Sequence, residues 1–467
     1  MLNQKGLNIV VSGLMLGLIS MSPSVAQDST NIRSSEEMNR NDNSDPLLLP
    51  NQAQEVEIID RPAITLEEAI SLGLTNNKDL SRAKLELDRS QEGLNAAQAQ
   101  EKIFVDGTAD TTFSGNQAQG FLGNTHNLST GAGVELGYRL YTGGRLEATI
   151  NRAREEIKFA ELEVNRLTQQ TRFEVATAYY QLQNADAQVN IAQAAVDDFT
   201  QTLRDAELLE RAGLGTRFDV LQARVDLANA NQGLTRARAD QRNARRELAT
   251  VIGIPATVEY SAADEIAEQG EWSLSLEQSI IQAYQNREEL DQILARREIN
   301  NQDRIIAVSR QKPQVNLFAN YNFNLNVAGI SPLGITGYSD GYNAGARLTW
   351  NLRDGGEAKA LSKQEEISIA IDENDFAGQR NAIRLEVETA YNDLTANKEN
   401  IGTTEQAAIT ATESLRLARL RFQAGVGTQT DVINAQRALT EARGNFLQAI
   451  IGYNQSLNRL QRAVSQQ

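Results

Sequence analysis

Apolar and polar residues alternate along this chain from Val315 to Val327. Val315, Leu317, Ala319, Tyr321, Phe323, Leu325 and Val327 are separated by Asn316, Phe318, Asn320, Asn322, Asn324 and Asn326, so only Phe318 breaks the period of two. That period predicts a β-strand, about residues 314–328, with one apolar and one polar face. Phe318 is either an aromatic on the polar face or the mark of a local bulge. In 127–142, Leu128, Thr130, Ala132, Val134, Leu136, Tyr138 and Leu140 alternate with Asn127, Ser129, Gly131, Gly133, Glu135, Gly137 and Arg139. In 340–353, Tyr342, Ala344, Ala346, Leu348, Trp350 and Leu352 alternate with Asn343, Gly345, Arg347, Thr349 and Asn351. A weaker copy in 103–116 sets Val105, Ala109 and Phe113 against Asp106, Asp110 and Ser114.

The rest of the chain has helical spacing. Phe218, Leu221, Val225, Ala228, Thr235 and Ala239 fall on three-four steps, as do Leu439, Ala442, Phe446, Ala449, Tyr453, Leu457, Leu460 and Val464. Both stripes predict heptad-like helix packing through small residues, with the opposite face wet. No proline lies between Pro62 and Pro255 or after Pro332, so very long helices are permitted. An unbroken helix from Gly144 to about Arg211 would be roughly 100 Å long.

The pattern is written twice. EVATAY from Glu174 recurs as EVETAY from Glu386, and AGLGTRFDV from Ala212 recurs as AGVGTQTDV from Ala424, both at an offset of 212 residues. Gly143-Gly144 matches Gly355-Gly356 at the same offset. LEEAI from Leu66 matches LEQSI from Leu276 at an offset of 210. Each half predicts a helix (66–101 and 276–310), a strand, a Gly/Asn/Ser-rich loop, a second strand and two long helices meeting at a glycine turn. The repeats span 61–255 and 276–467, with a connector at 256–275.

Composition narrows the function. A chain with 5% aromatic residues, rich in Ala, Leu, Gln and Arg, suits extended helices better than one thick core. A net charge of −16 argues against a nucleic-acid partner; an acidic surface more often means simple solubility, and it also attracts cationic species. With no cysteine, thiol chemistry, disulfides and Cys-metal sites are excluded. Residues 1–26, with Lys5, an apolar run from Leu7 to Ile19 and Ser24-Val25-Ala26, read as a secretory signal peptide. Residues 27–60, which include NRNDNSD, read as a disordered leader. Asp42 and Asp45 there lack the glycine and terminal glutamate of a calcium loop. After residue 26 no run reaches the ~20 apolar residues of a spanning helix.

Nothing in the chain suggests an enzyme, a cofactor or a resident metal. There is no GxxxxGK[ST], HExxH or nucleophile elbow, and Gly131-Ala132-Gly133 sits inside a strand. The single histidine, His126, stands in a predicted loop, and Asp372 and Asp375 read as a solvated helix face. Strands of this length can cross a membrane, with tyrosines and Trp350 near strand ends as an interfacial belt. Four strands cannot close a barrel, and lipid does not tolerate open edges. Several chains must therefore pool strands: two give eight and a filled interior, three give twelve and a lumen.

With these features the chain resembles the TolC-like outer-membrane efflux channel family. The resemblance covers nearly everything after Ile64. It rests on the duplicated order and on ITLEEAISLGLTNN, LYTGGRLEATI, LRDGGEAKAL and FQAGVGTQTDVINAQRAL. It implies an α+β membrane protein: a homotrimer whose twelve-stranded β-barrel, four strands per chain, continues as a long α-helical barrel across the periplasm. Val315, Leu317, Tyr321, Phe323 and Leu325 are then expected against outer-membrane lipid, with the asparagines toward the lumen. The family implies a passive duct that docks on a periplasmic adaptor and an inner-membrane transporter, in drug efflux or type I secretion. The helical tips at Gly213, Leu214, Gly215, Gly425, Val426 and Gly427 are implied to meet the adaptor. Asp431 matches the first acidic position of the family's periplasmic aperture and Asn434 the second, where neutrality weakens the expected double ring. Asp219 and Arg217 are the corresponding charged candidates in the first half. Phe422 and Gly427 stand where the family can place a tyrosine and an arginine that hold the aperture shut. A ring of Asp431 carboxylates is expected to raise their pKa values. The alternatives are a periplasmic coiled-coil adaptor or structural protein, which would not need four amphipathic strands, and an ordinary porin, which would leave the helices unexplained.

Overall fold

The computed structural model describes residues 63–116, 125–255, 257–329 and 336–465, with a few positions between 49 and 60. The segment read as a signal peptide lies outside the described residues, as does nearly all of the leader. Ile59–Gln467 forms one unit, to which the following description applies. The end of the leader reading is ordered: β1 (Ile59–Asp60) pairs in parallel with β4 (Val258–Glu259) of the connector.

Each half opens with a helix pair where a single helix is predicted. α1 (Leu66–Asn76) starts at a capping box, with the Glu68 amide donating to Thr65 Oγ1 and the Thr65 amide to the Glu68 carboxylate. Asn77 leaves helical geometry (ψ 127°) and its side chain accepts from the Leu80 amide, so α2 (Lys78–Ala99) begins anew. In the second half Arg287 occupies the break between α5 (Leu276–Asn286) and α6 (Glu288–Ser309). Side-chain capping marks the break at Asn77, whereas Arg287 caps nothing and is instead buried against Glu289 and Glu386; neither signal is visible to hydrophobic periodicity.

The four predicted strands are present as β2 (Phe104–Asn116), β3 (Thr125–Tyr141), β5 (Gln314–Gly329) and β6 (Thr336–Thr349). They form one antiparallel sheet in the order β2-β3-β5-β6. His126 lies within β3, not in a loop. β6 stops before Trp350, whose indole N–H donates to the Gln311 carbonyl at 3.0 Å.

Long helices follow each strand pair. α3 (Arg145–Arg211) and α7 (Glu357–Gln423) have 67 residues each, and their partners α4 (Arg217–Ile252) and α8 (Gln429–Val464) have 36 each. The equal lengths are the duplication expressed in structure. Two cores sit along these helices. One gathers Tyr179, Leu182, Leu248 and Ile252, and the other Ile383, Val387, Tyr453 and Leu460. Tyr179 donates to Asp264 Oδ2 at 2.7 Å and accepts from the Asp264 amide at 3.2 Å, which fastens the connector to α3.

Two sequence expectations change here. The stripe on α8 is buried almost throughout, but Phe218, Leu221 and Val225 on α4 are exposed; α4 turns Val220, Ala223 and Leu234 inward instead. Asp372 is not on a solvated face. Its side chain is 3% exposed and meets Arg296 Nε at 2.6 Å and the Asn300 amide at 2.7 Å, both from α6. Burying the carboxylate is tolerated because α6 supplies these donors.

Candidate functional site

The strand register sorts the sheet into two faces. Leu317 lies between Tyr138 and Ala346, Tyr321 between Val134 and Tyr342, and Phe323 between Ala132 and Asp340. Leu325 has Thr130 and Tyr338 as neighbours. Val315 joins the same face, opposite Leu348, after a register shift between Arg139 and Tyr141 on β3. This face also carries Val105, Ala109 and Phe113 through β2, so it is mainly apolar across all four strands, with Asp340 the charged exception. Several of its large side chains are open to solvent in the isolated chain, including Tyr338, Tyr342, Phe113 and Leu348. The opposite face holds the asparagines of β5, Asp106, Asp110, Glu135 and a run of glycines. Phe318 belongs to this polar face. The register is regular at Phe318 against both Gly137 and Gly345, so no bulge accounts for it.

The two glycine turns lie at the ends of the long hairpins. Gly213 and Gly425 both adopt φ +73°, which an L side chain disfavours. Gly215 and Gly427 are required for a different reason. A Cβ at Gly215 would lie 3.1 Å from the Glu210 amide, and at Gly427 3.0 Å from Arg421 Cβ. The turn thus closes back on its own helix. Leu214 and Val426 project outward at 80% and 69% exposure. These six residues form two matching tips.

Asp219 and Asp431 have a local task at the tips. Each is the third residue of its helix and closes a capping box with Thr216 or Thr428. The Thr428 amide donates to Asp431 Oδ2 at 3.0 Å, and the Asp431 amide donates to Thr428 Oγ1 at 3.2 Å. Hydrogen bonds from the Thr428 backbone, and next its side chain, hold the Asp431 carboxyl below the usual aspartate value. Within one chain this is opposite to the rise expected of an acidic ring. The Thr-x-x-Asp spacing was readable in both halves as a capping signal. Asp431 and Asn434 share a groove with Arg421, Leu417 and Ser414 of α7. Arg217 lies 3.7 Å from Glu210 across its own turn. Phe422 packs against Leu415, Val432 and Leu439.

Other contacts join the two tips and were not foreseen. The buried Gln429 side chain donates to the Asp219 carbonyl at 2.9 Å. One helical turn or more away, Arg437 meets the buried Asp226 carboxylate at 2.7 Å, and Arg419 meets Asp198 at 2.7 Å. Polar letters on separate helices gave no sequence signal for these pairs.

Residues 69–254 and 280–466 match the family of outer membrane efflux proteins, one segment in each half. The chain belongs to that family. It is 23% identical over 392 residues to the cobalt-zinc-cadmium resistance protein CzcC of Cupriavidus metallidurans, covering 82% of this chain and 86% of that one. The fold is similar to the outer-membrane channel OprN, with a TM-score of 0.73 at 19% identity over 85% of this chain and 89% of that one. It is also similar to the CmeC outer membrane channel of Campylobacter jejuni, with a TM-score of 0.75 at 15% identity over 85% of each chain. The TolC-like reading therefore holds for the whole duplicated body. Both of these solved structures are outer-membrane channels. Among the described residues no helix is long and apolar enough to cross a membrane, and no three His, Cys, Asp or Glu side chains gather as a metal site.

Proposed function

We propose that three copies of this chain form the exit duct of a tripartite efflux system in the outer membrane. One observation carries the proposal: the free edges of the sheet and of the helices lie on the same two flanks. The sheet runs β2-β3-β5-β6. Beside it the helices run α2-α3-α6-α7, and towards the tips α4-α3-α8-α7. One flank is therefore β2, α2 and α4, and the other is β6 and α7. Among the described residues no further strand or long helix covers either flank, and a head-to-tail ring joins one to the other at every level. In lipid an open strand edge is not viable, so the apolar face requires that closure. Three chains give twelve strands and a lumen lined by the polar face.

Val315, Leu317, Tyr321, Phe323 and Leu325 then face outer-membrane lipid, and the long helices continue the duct through the periplasm. The six tip residues meet a periplasmic adaptor, which couples the duct to an inner-membrane transporter. Three Asp431 carboxylates line the aperture and bind cations; their mutual repulsion opposes the lowering that each capping box imposes. Similarity to the cobalt-zinc-cadmium resistance protein CzcC, which aligns over most of both chains, favours small-solute efflux over protein export. The test is reconstitution of the purified protein in planar lipid bilayers. Discrete ion-conducting channels are expected, and a protein that stays in the aqueous phase and conducts nothing would sink the proposal.

A further inference from the structure

The polar face of the sheet carries one device twice. Phe104, Gly137, Phe318 and Gly345 form a single row across the four strands. Both rings lie over glycines. A Cβ at Gly137 would fall 2.0 Å from the Phe104 ring, and one at Gly345 3.3 Å from the Phe318 ring. Each ring in turn carries a guanidinium. Arg139 lies 5.0 Å from the Phe104 centroid and Arg347 5.0 Å from the Phe318 centroid. Arg139 also donates to the Gln100 carbonyl at 3.0 Å. Among the described residues, neither arginine forms an ion pair with a carboxylate. The sequence offsets are 214 for the phenylalanines but 208 for the glycines and arginines, against 212 for the helical hairpins. The sheet therefore preserves the arrangement although the linear spacing has drifted.

Phenylalanine over glycine is a familiar way to cover a bare strand. That accounts for the rings and not for the arginines. A stacked guanidinium is held in place by the ring face, yet leaves most of its N–H donors free for the oxygens of an anion. Arg139 and Arg347 both neighbour Asn316, so they share one row at the end of the sheet nearest the helices. Asp106 and Glu135 lie in the row beyond the phenylalanines, facing each other. The lumen would thus present a basic row and then an acidic one.

We propose that Arg139 and Arg347 form an anion-binding girdle inside the duct, at the junction of sheet and helices. The inference rests on the three-chain assembly proposed above, which brings six guanidiniums into one ring. Its ligands are carboxylate, phosphate or sulfonate groups of passing solutes, held in charge-assisted hydrogen bonds. Phe104 and Phe318 position the guanidiniums and do not touch the solute.

The test is block of single channels by sodium tripolyphosphate, with the full chain in planar bilayers. The wild type is expected to show reversible block. Arg139→Gln with Arg347→Gln should raise the half-blocking concentration by about tenfold or more while the channel still conducts potassium chloride. Arg139→Lys with Arg347→Lys keeps the charge without the flat stack and should raise it by about threefold. Phe104→Leu with Phe318→Leu should weaken block with every charge retained, an effect that simple charge counting would not produce. Unaltered block in the glutamine variant overturns the proposal. If that variant does not assemble, a wild type indifferent to tripolyphosphate, or a lysine variant identical to it, overturns the proposal equally. A wild type that forms no channel removes the lumen, and with it the assembly reading as well.

Discussion

Arg287 Nη1 donates to Glu386 Oε2 at 2.8 Å and so joins the break between α5 and α6 to the middle of α7, 99 residues further along the chain. The same guanidinium meets both carboxylate oxygens of Glu289, at 2.9 and 3.0 Å, and its side chain is 4% exposed. Arg462 of α8 reaches Glu289 as well, at 3.1 Å. The equivalent break in the first half uses Asn77, so this ionic knot belongs to the second repeat alone.

Removing one member of a buried ionic group leaves the others uncompensated. Arg287→Met should therefore destabilise the folded chain by about 3 kcal/mol, read from denaturant unfolding in detergent. Acid should act on the same place. Burial works to raise the Glu289 pKa, but the hydrogen bonds and charge of Arg287 outweigh it and hold the carboxyl below 4.5. A folded-state pKa below the unfolded one gives stability that is present above 4.5 and is lost as pH falls through the folded value. The wild-type melting temperature should fall in that range, and Arg287→Met should flatten the dependence.

Capping and aperture roles of Asp431 can be separated. Asp431→Asn keeps one side-chain oxygen to accept from the Thr428 amide but removes the charge, whereas Asp431→Ala removes both. Amide exchange at Thr428 and Asp431 should rise more in the alanine variant than in the asparagine variant. Block of the channel by multivalent cations should weaken alike in both. Cation block that survives in both variants would leave Asp431 with the cap alone.

At the tips, glycine is needed for backbone sign. Gly213→Ala and Gly425→Ala place a Cβ at φ +73° and should each cost about 1 kcal/mol, seen as faster amide exchange around the turn. Leu214→Ala and Val426→Ala leave the turn intact because both side chains are exposed. Those two should instead weaken cross-linking to the adaptor, with channel formation unchanged.

The exposed stripe on α4 tests the ring. Phe218, Leu221 and Val225 lie on one unpartnered flank of the chain, and α7 exposes Leu417 and Leu420 on the helix that forms the other. Leu221→Asp should therefore leave the helical content of a single chain unchanged while shifting detergent particles toward monomers. Loss of helix in that variant would show that the stripe stabilises the chain itself.

The sequence made three of the strands legible because each alternates for more than ten residues, with the fourth a weaker copy, and the long helices legible because proline is absent and the hairpins repeat at one offset. It misled at Phe218, Leu221 and Val225: three-four spacing identifies an apolar face but not whether the partner is in the same chain. It missed the breaks at Asn77 and Arg287, where capping and buried charge override a continuous periodicity. Asp372 looked like surface because its partners, Arg296 and Asn300, lie more than seventy residues away in the sequence. Phe318 was the one irregular letter in the opening strand, and its explanation required Gly137, Gly345 and Arg347 from other strands. Of the tip residues, the glycines announced themselves by spacing, whereas the link from Gln429 to the Asp219 carbonyl had no linear signature.

The central claim is that one chain supplies a third of a closed duct. Native mass determination of the protein extracted from outer membranes in detergent tests it most directly. The account predicts one particle of about three times 51.3 kDa. A particle of one or two chains would contradict it.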